Sequence, residues 1–533
     1  MSAPFSEIQP IYSKYPPPAS PKFQYGTAGF RMLASKLDSV MVAVATLSVI
    51  RSFSLQGKTV GVMITASHNP PQDNGVKVVD PFGDMLPQDW EPLATSLVNC
   101  TNFDEFESIL NPLWKKYNPN GKNKANIVIA RDTRESGSHL LDICTQLFES
   151  IPEFVNCTNF GVLTTPQLHY ITRAFNDPSF GEPTEEGYYK KLNESLLKLL
   201  EINELNASDL TNVVVDCANG VGALKLEQFL EKSAVASKFK VVNDNTEDPQ
   251  QLNVKCGADY VKTNQRLPAN ISEAVASAPN TLCASFDGDA DRLVCYYQSD
   301  GFVLFDGDKI AILLSSMISK LLSQLSVDLK VGIIQTAYAN GASTSYIVEE
   351  LGLPSICAKT GVKHLHHEAL KFDIGIYFEA NGHGTVLFSD NFRDKISKIN
   401  HPAAESLLLL NDLINQTVGD ALSDLLAVVA SLCILKQSNN DWSRTYKDLP
   451  NKLAKVVVKD RNAFVTTDAE RRLIEPNAIQ PKIDQLVSTV KLGRSFVRPS
   501  GTEDAVRVYA EASTIEECEY LTNAVVKLVA EYS

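Results

Sequence analysis

A chain of 533 residues, 44% hydrophobic and 21% charged, has an ordinary globular make-up and a length that suits roughly three to four domains. Its formal net charge of -14 argues against a nucleic-acid partner, which needs a broad basic surface, yet leaves room for a small anion held by a local cluster of Arg and Lys. The scattered cysteines contain no C-x-x-C pair, the N-terminal stretch with Pro16, Pro17 and Pro18 is no secretory signal, and Leu425 to Leu435 is too short to span a bilayer, so a cytoplasmic enzyme or binding protein with reduced thiols is expected.

From the N-terminus, the apolar run Val60 to Ile64 predicts a strand that delivers Thr65-Ala66-Ser67-His68-Asn69-Pro70 to a loop tip. Ser67 there is a candidate nucleophile; the plainer reading is a turn cap, with Pro70 holding Asn69 extended. Further β-branched runs end in polar or glycine-rich loops: Ile127 to Ala130 before Arg131-Asp-Thr-Arg134, and Val213 to Val215 before Asp216-Cys-Ala-Asn-Gly220. Others are Leu282 to Phe286, Val331 to Ile334 and Ile374 to Phe378. Helices are predicted over Glu194 to Glu201, Lys309 to Leu325 and Asp420 to Leu435. The alternation reads as repeated α/β units, in which ligand groups sit in loops at the carboxyl ends of strands. Pro178 to Gly187 and Gln437 to Tyr446 are the linker candidates, with a third boundary between Gln298 and Gly307. The resulting segments are 1–182, 183–299, 300–440 and 441–533.

Each segment holds one unusual loop. Asp287-Gly288-Asp289-Ala290-Asp291-Arg292 spaces three carboxylates so that a curled loop converges them on one hard cation, magnesium being favoured by oxygen ligands. An EF-hand is excluded, because Arg292 and Gln298 stand where it needs glycine and a carboxylate. Glu379-Ala380-Asn381-Gly382-His383-Gly384-Thr385 combines groups that can bond the vicinal hydroxyls of a sugar, although a glycine turn with a satisfied Glu explains it equally well. Arg498-Pro499-Ser500-Gly501-Thr502-Glu503, between expected strands at Ser495 to Val497 and Ala505 to Tyr509, has the fork, hydroxyls and open backbone of a phosphate cradle, with Arg507 able to face the same site.

Several near misses carry less. Gly57-Lys58-Thr59 lacks the earlier glycine of a P-loop, and Gly220-Val221-Gly222 is a tight strand-to-helix turn, with Lys225 in the third glycine position of a dinucleotide fingerprint. His364, His366 and His367 have no second cluster to complete a zinc site, and neighbouring Lys363 is a candidate to face substrate.

The order TASHNP, DGDADR, EANGHG and RPSGTED, together with Tyr25-Gly-Thr-Ala-Gly-Phe-Arg31, resembles the α-D-phosphohexomutase superfamily, and within it the eukaryotic members that act on N-acetylglucosamine phosphates. The subgroup signal is Asn381, where hexose mutases commonly carry serine. The resemblance implies an α/β fold of four domains around a central cleft: three related mixed-sheet domains and a smaller C-terminal α+β domain. It implies a phosphoserine at Ser67, one Mg²⁺ held by Asp287, Asp289 and Asp291 against a phosphoserine oxygen, and a bisphosphorylated sugar that turns over between two half-reactions. Arg31, His68, Lys77, Arg292 and Lys363 would balance charge near the transferring phosphoryl. Glu379, Asn381, Gly382 and His383 would bind the sugar, and Arg498, Ser500, Gly501, Thr502 and Arg507 the non-reacting phosphate. The resemblance implies a monomeric, cytoplasmic isomerase that feeds UDP-N-acetylglucosamine synthesis. A glucose or mannose phosphate mutase, a phosphatase, and a silent phosphosugar sensor are the competing readings.

Overall fold

The computed structural model describes residues 3–18, 22–500 and 504–532. It divides into two compact units, Met1–Leu304 with Leu408–Ile434, and Phe305–Leu407 with Leu435–Ser533.

The first unit contains two five-stranded mixed sheets. One has the order Phe30–Leu33, Asp73–Val79, Thr59–Ile64, Ala125–Arg131, Val155–Val162, with the last three parallel and the first two antiparallel additions. Its helix Asp38–Ser54 carries apolar residues on every face and is buried from Ser39 to Phe53, with Arg51 paired to Asp80. The second sheet has the order Phe302–Phe305, Leu293–Gln298, Thr281–Phe286, Asn212–Asp216, Phe239–Val242. It runs past position 299, where the sequence places a boundary. Ser299-Asp300-Gly301 is a hairpin turn closed by the Ser299 N–H to the Gly301 carbonyl at 2.9 Å, and Phe302 returns to pack on Tyr296 with ring centroids 5.6 Å apart.

Segment 300–440 is also not continuous in space, because Leu408–Ile434 belongs to the first unit. There the helix Ala421–Leu435 starts against the aspartate loop at 287–292: the Ala421 N–H donates to the Ala290 carbonyl at 3.0 Å, and Tyr188 Oη donates to Asp420 Oδ2 at 2.7 Å.

In the second unit a four-stranded mixed sheet runs Ser355–Ala358, Val331–Thr336, Ile374–Phe378, Gly384–Phe388. A smaller antiparallel sheet of Asn451–Val457, Ala505–Glu511 and Arg494–Pro499 packs Val497, Val506 and Val508 in one core with Leu521, Val525 and Val529 of helix Ile515–Ala530. Three mixed α/β sheets and a smaller α+β sheet are thus the architecture expected. The expected linker Gln437 to Tyr446 is anchored rather than loose: Trp442 is fully buried, stacks on Phe305 at 3.8 Å and donates Nε1–H to the Lys309 carbonyl at 3.2 Å.

The expected helices appear as Glu185–Ile202, Gly307–Leu322 and Ala421–Leu435. The first begins earlier because Thr184 caps it, its hydroxyl accepting the Gly187 N–H at 2.9 Å. Among the described residues no helix is long and apolar enough to cross a membrane. Cys157 is exposed and Cys357 and Cys433 are half-buried, while the other seven cysteines are buried thiols.

Candidate active site

Strand Thr59–Ile64 ends beneath the serine loop, and Ser67 sits at its tip with φ 51°, a left-handed conformation that non-glycine residues adopt only when their surroundings enforce it. The partners of its backbone N–H and carbonyl enforce it. Thr65 Oγ1 accepts the Ser67 N–H at 3.0 Å while donating to Asp132 Oδ2 at 2.8 Å. The Ser67 carbonyl accepts from Arg134 Nη2 at 2.8 Å and from Asn253 Nδ2 at 3.0 Å. Ser67 Oγ donates to Asp287 Oδ2 at 2.6 Å and lies 3.4 Å from His68 Nδ1.

That 2.6 Å contact joins the serine loop to the aspartate loop. Asp287, Asp289 and Asp291 are all buried, with one carboxylate oxygen from each within 4.8 Å of the others. Gly288 permits the approach, because a Cβ there would lie 2.5 Å from the Ser67 carbonyl oxygen. Gly220 serves the same contact from behind: its missing Cβ would meet the Gly288 carbonyl oxygen at 2.5 Å. Asp287 Oδ1 meanwhile accepts the Asp291 and Arg292 N–H groups at 3.0 and 3.1 Å, which curls the loop. Burial, reinforced by Asp291 and Asp289, pushes the Asp287 carboxyl well above its ordinary range. Three such carboxylates call for a cation, and Asp289 Oδ1, buried and without a hydrogen-bond partner among the described residues, offers an oxygen of the kind Mg²⁺ takes.

Cations surround the cluster. Lys77 Nζ lies 3.9 Å from Asp289 Oδ2 and 3.7 Å from Asp291 Oδ2; Arg292 Nε lies 3.7 Å from Asp287 Oδ2 and 3.8 Å from Asp291 Oδ1. Arg31 sits on strand Phe30–Leu33 opposite Gly75, so it shares a face with Lys77 two residues along the neighbouring strand. Its pKa is lowered by burial, with Asp289 opposing. His68 departs from the sequence expectation of charge balance: burial, then Arg292 and Arg31, lower its pKa to about 3, so it is a neutral hydrogen-bonding group here.

The other expected residues lie in the second unit. Lys363 is on helix Val362–Ala369, and Glu379 Oε1 accepts the Gly361 N–H just before it at 3.3 Å. In the sugar-type loop Glu379 donates its N–H to the His383 carbonyl at 2.9 Å, Asn381 Oδ1 accepts the His383 N–H at 3.0 Å, and Gly382 takes φ 87°. His366 Nδ1 pairs with Tyr377 Oη at 3.0 Å, which accounts for that histidine without zinc. Arg498 and Arg507 are direct partners across two antiparallel strands, and Lys455 is the partner of Arg507 on the third, giving a row of three cations across the sheet. Like charges so placed repel and favour an anion. Arg498 Nε is 3.4 Å from Glu470 Oε1, and the Ser500 N–H donates to the Ala505 carbonyl at 2.8 Å. Gly501 and Thr502 fall outside the described residues.

Sequence reasoning missed Arg134, Asn253, Thr165 and Lys455. Arg131-Asp-Thr-Arg134 stood out as a loop at a strand end, but nothing local shows that Arg134 reaches back to another loop. Lys455 becomes visible only through the strand register.

Strands ending in a metal-type carboxylate loop beside a buried serine, and a cationic phosphate-type sheet, define the phosphohexomutase class. Family models agree: residues 30–105 match phosphoglucomutase/phosphomannomutase alpha/beta/alpha domain I, and 453–528 match the C-terminal domain of the same group. Residues 181–294 and 306–438 match domains II and III of phosphoacetylglucosamine mutase AMG1. Phosphoacetylglucosamine mutase of Candida albicans is 51% identical, covering 97% of each chain. A crystal structure of N-acetylglucosamine-phosphate mutase in its substrate complex is 50% identical with TM-score 0.94, over 99% of this chain and 100% of that one. Aspergillus fumigatus N-acetylphosphoglucosamine mutase in complex with GlcNAc-6P and magnesium is 44% identical with TM-score 0.93, over 100% and 99%. The chain belongs to the phosphoacetylglucosamine mutase family.

Proposed function

We propose that the chain interconverts N-acetylglucosamine 6-phosphate and N-acetylglucosamine 1-phosphate through a phosphoserine at Ser67 and a 1,6-bisphosphate. The observation that carries this reading is the buried Ser67 hydroxyl 2.6 Å from Asp287 within the three-carboxylate cluster. In the first half-reaction the bond from phosphorus to Ser67 Oγ breaks, a bond to the sugar hydroxyl oxygen forms, and the hydroxyl proton ends on Ser67 Oγ. The second half-reaction reverses this with the other phosphate. Mg²⁺ held by Asp287, Asp289 and Asp291 would neutralise charge on the transferring phosphoryl. Arg31, Lys77 and Arg292 add fixed positive charge around Ser67, and His68 contributes a neutral hydrogen bond. Lys363 would add charge near the transferring phosphoryl, Glu379, Asn381, Gly382 and His383 would bind the sugar, and Arg498, Ser500, Gly501, Thr502 and Arg507 would hold the phosphate that is not reacting. The same reading makes the enzyme a cytoplasmic monomer whose partners are small amino-sugar phosphates.

Incubation with N-acetylglucosamine 6-phosphate and glucose 6-phosphate in parallel, followed by product NMR and phosphopeptide mapping, tests reaction, substrate and Ser67 together. Free phosphate released at the turnover rate would replace the mutase reading with a phosphatase.

Two substitutions test the second unit. Arg498→Ala removes one of two adjacent guanidinium groups, and loss of one charged hydrogen bond of about 1.5–3 kcal/mol raises KM for the 6-phosphate roughly 10- to 100-fold in steady-state kinetics. An unchanged KM would remove Arg498 from the cradle. Asn381→Ser keeps a side-chain oxygen for the His383 N–H but replaces the loop's amide with a shorter hydroxyl, so the preference for acetylglucosamine over glucose phosphates falls by about tenfold in parallel kcat/KM measurements. Equal selectivity before and after would move the determinant elsewhere.

A further inference from the structure

The loop that follows strand Val155–Val162 reaches the aspartate cluster from outside the predicted motifs. Thr165 Oγ1 donates to Asp289 Oδ2 at 2.6 Å, and the Thr165 N–H donates to the Asp289 carbonyl at 3.2 Å. Thr165 is fully buried, and it is the first residue of helix Thr165–Asn176. That helix is capped by its neighbour Thr164 and Gln167, so the Thr165 hydroxyl is spared from capping and is spent on the carboxylate.

The two oxygens of Asp289 are therefore unlike. Oδ2 is held by Thr165 and lies 3.9 Å from Lys77 Nζ; Oδ1 is buried with no hydrogen-bond partner among the described residues, on a residue of the three-carboxylate cluster that would take a cation. The Thr165 anchor is itself tied to the serine loop. The Leu163 N–H donates to the Arg131 carbonyl at 3.0 Å, and the adjacent Asp132 receives the Thr65 hydroxyl beneath Ser67.

From this geometry we infer that Thr165 is a positioning residue for the metal: its hydroxyl occupies Asp289 Oδ2 and fixes the rotation of the carboxylate, so that Oδ1 would stay available to a cation. The inference rests on the metal reading above. Outer-shell partners of this kind alter metal affinity by about 10- to 100-fold when removed.

The test is titration of the purified full-length protein with Mn²⁺, read by electron paramagnetic resonance and independent of turnover, for wild type, Thr165→Val, Thr165→Ser and Asp289→Asn. Thermal melts run alongside to confirm folding. Thr165→Val, which keeps shape and loses the donor, is expected to weaken Mn²⁺ binding about tenfold, and Thr165→Ser to restore it. In assays with Mg²⁺ the Val variant should need more metal for half-maximal rate, with most of its kcat recovered at saturating metal. Wild-type affinity in Thr165→Val, or failure of Thr165→Ser to restore it, overturns the inference while leaving the metal site standing. Absence of Mn²⁺ binding in wild type overturns both. An unfolded Val variant shifts the decision to the Ser variant and to Thr165→Ala, judged by the same affinities.

Discussion

Ser67→Ala is expected to lower kcat by on the order of 10³-fold or more and to abolish phosphopeptide labelling of the serine loop, while the protein folds and still binds sugar phosphate. The size follows from the chemistry, because among the described residues no other hydroxyl or thiol hydrogen-bonds Asp287 Oδ2 to carry the phosphoryl group. Folding survives because the loop is held by backbone groups of Ser67 and not by its hydroxyl: the N–H goes to Thr65, the carbonyl to Arg134 and Asn253. Alanine also meets the same φ of 51° as serine does, so the substitution adds no backbone strain of its own. Circular dichroism and ligand binding by calorimetry check the second half of the prediction. Near-wild-type turnover would reject a covalent mechanism at this serine.

Ser67 and the three aspartates could be read from sequence because each lies in a contiguous motif directly after an apolar strand, where side-chain type and spacing state the chemistry locally. All the main predicted strands are present, since runs such as Val213 to Val215 and Ile374 to Phe378 are buried on both faces and tolerate no other pattern. What sequence left dark depends on partners far along the chain. Thr165 is 124 positions from Asp289, Asn253 is 186 from Ser67, and Trp442 is buried in a stretch whose polar neighbours, Asn439, Asn440 and Asp441, read as a linker. The boundary expected between Gln298 and Gly307 falls at Leu304/Phe305 rather than at 299, because a polar hairpin inside a sheet and a polar linker have the same composition. Gly220, read correctly as a tight turn, gained its purpose only when Gly288 was found against it.

Arg134 gives the largest structural prediction. Its guanidinium is fully buried and spends all five N–H donors: Nε on Asp132 Oδ2 at 3.1 Å, Nη1 on the Pro70 and Asp73 carbonyls at 2.7 and 2.9 Å, and Nη2 on the Ser67 and Asn69 carbonyls at 2.8 and 2.9 Å. Arg134→Met fills the volume but strands those acceptors and leaves the Asp132 carboxylate without its counter-ion, in a site where burial already raises the carboxyl pKa against the opposing pull of Arg134. Removing one partner of a buried pair costs about 3–5 kcal/mol, so the midpoint of denaturant unfolding should fall markedly. Arg134→Lys keeps the charge but has too few donors and no planar fork, so it should recover only part of the loss. Because the loop that presents Ser67 is what Arg134 holds, kcat should fall in both variants even where the protein remains folded. Mn²⁺ affinity should change less than kcat, since Arg134 bonds none of the three aspartates of the DGDADR loop. A variant that unfolds at the wild-type midpoint would show that Asn253 and Thr65 alone hold the serine loop.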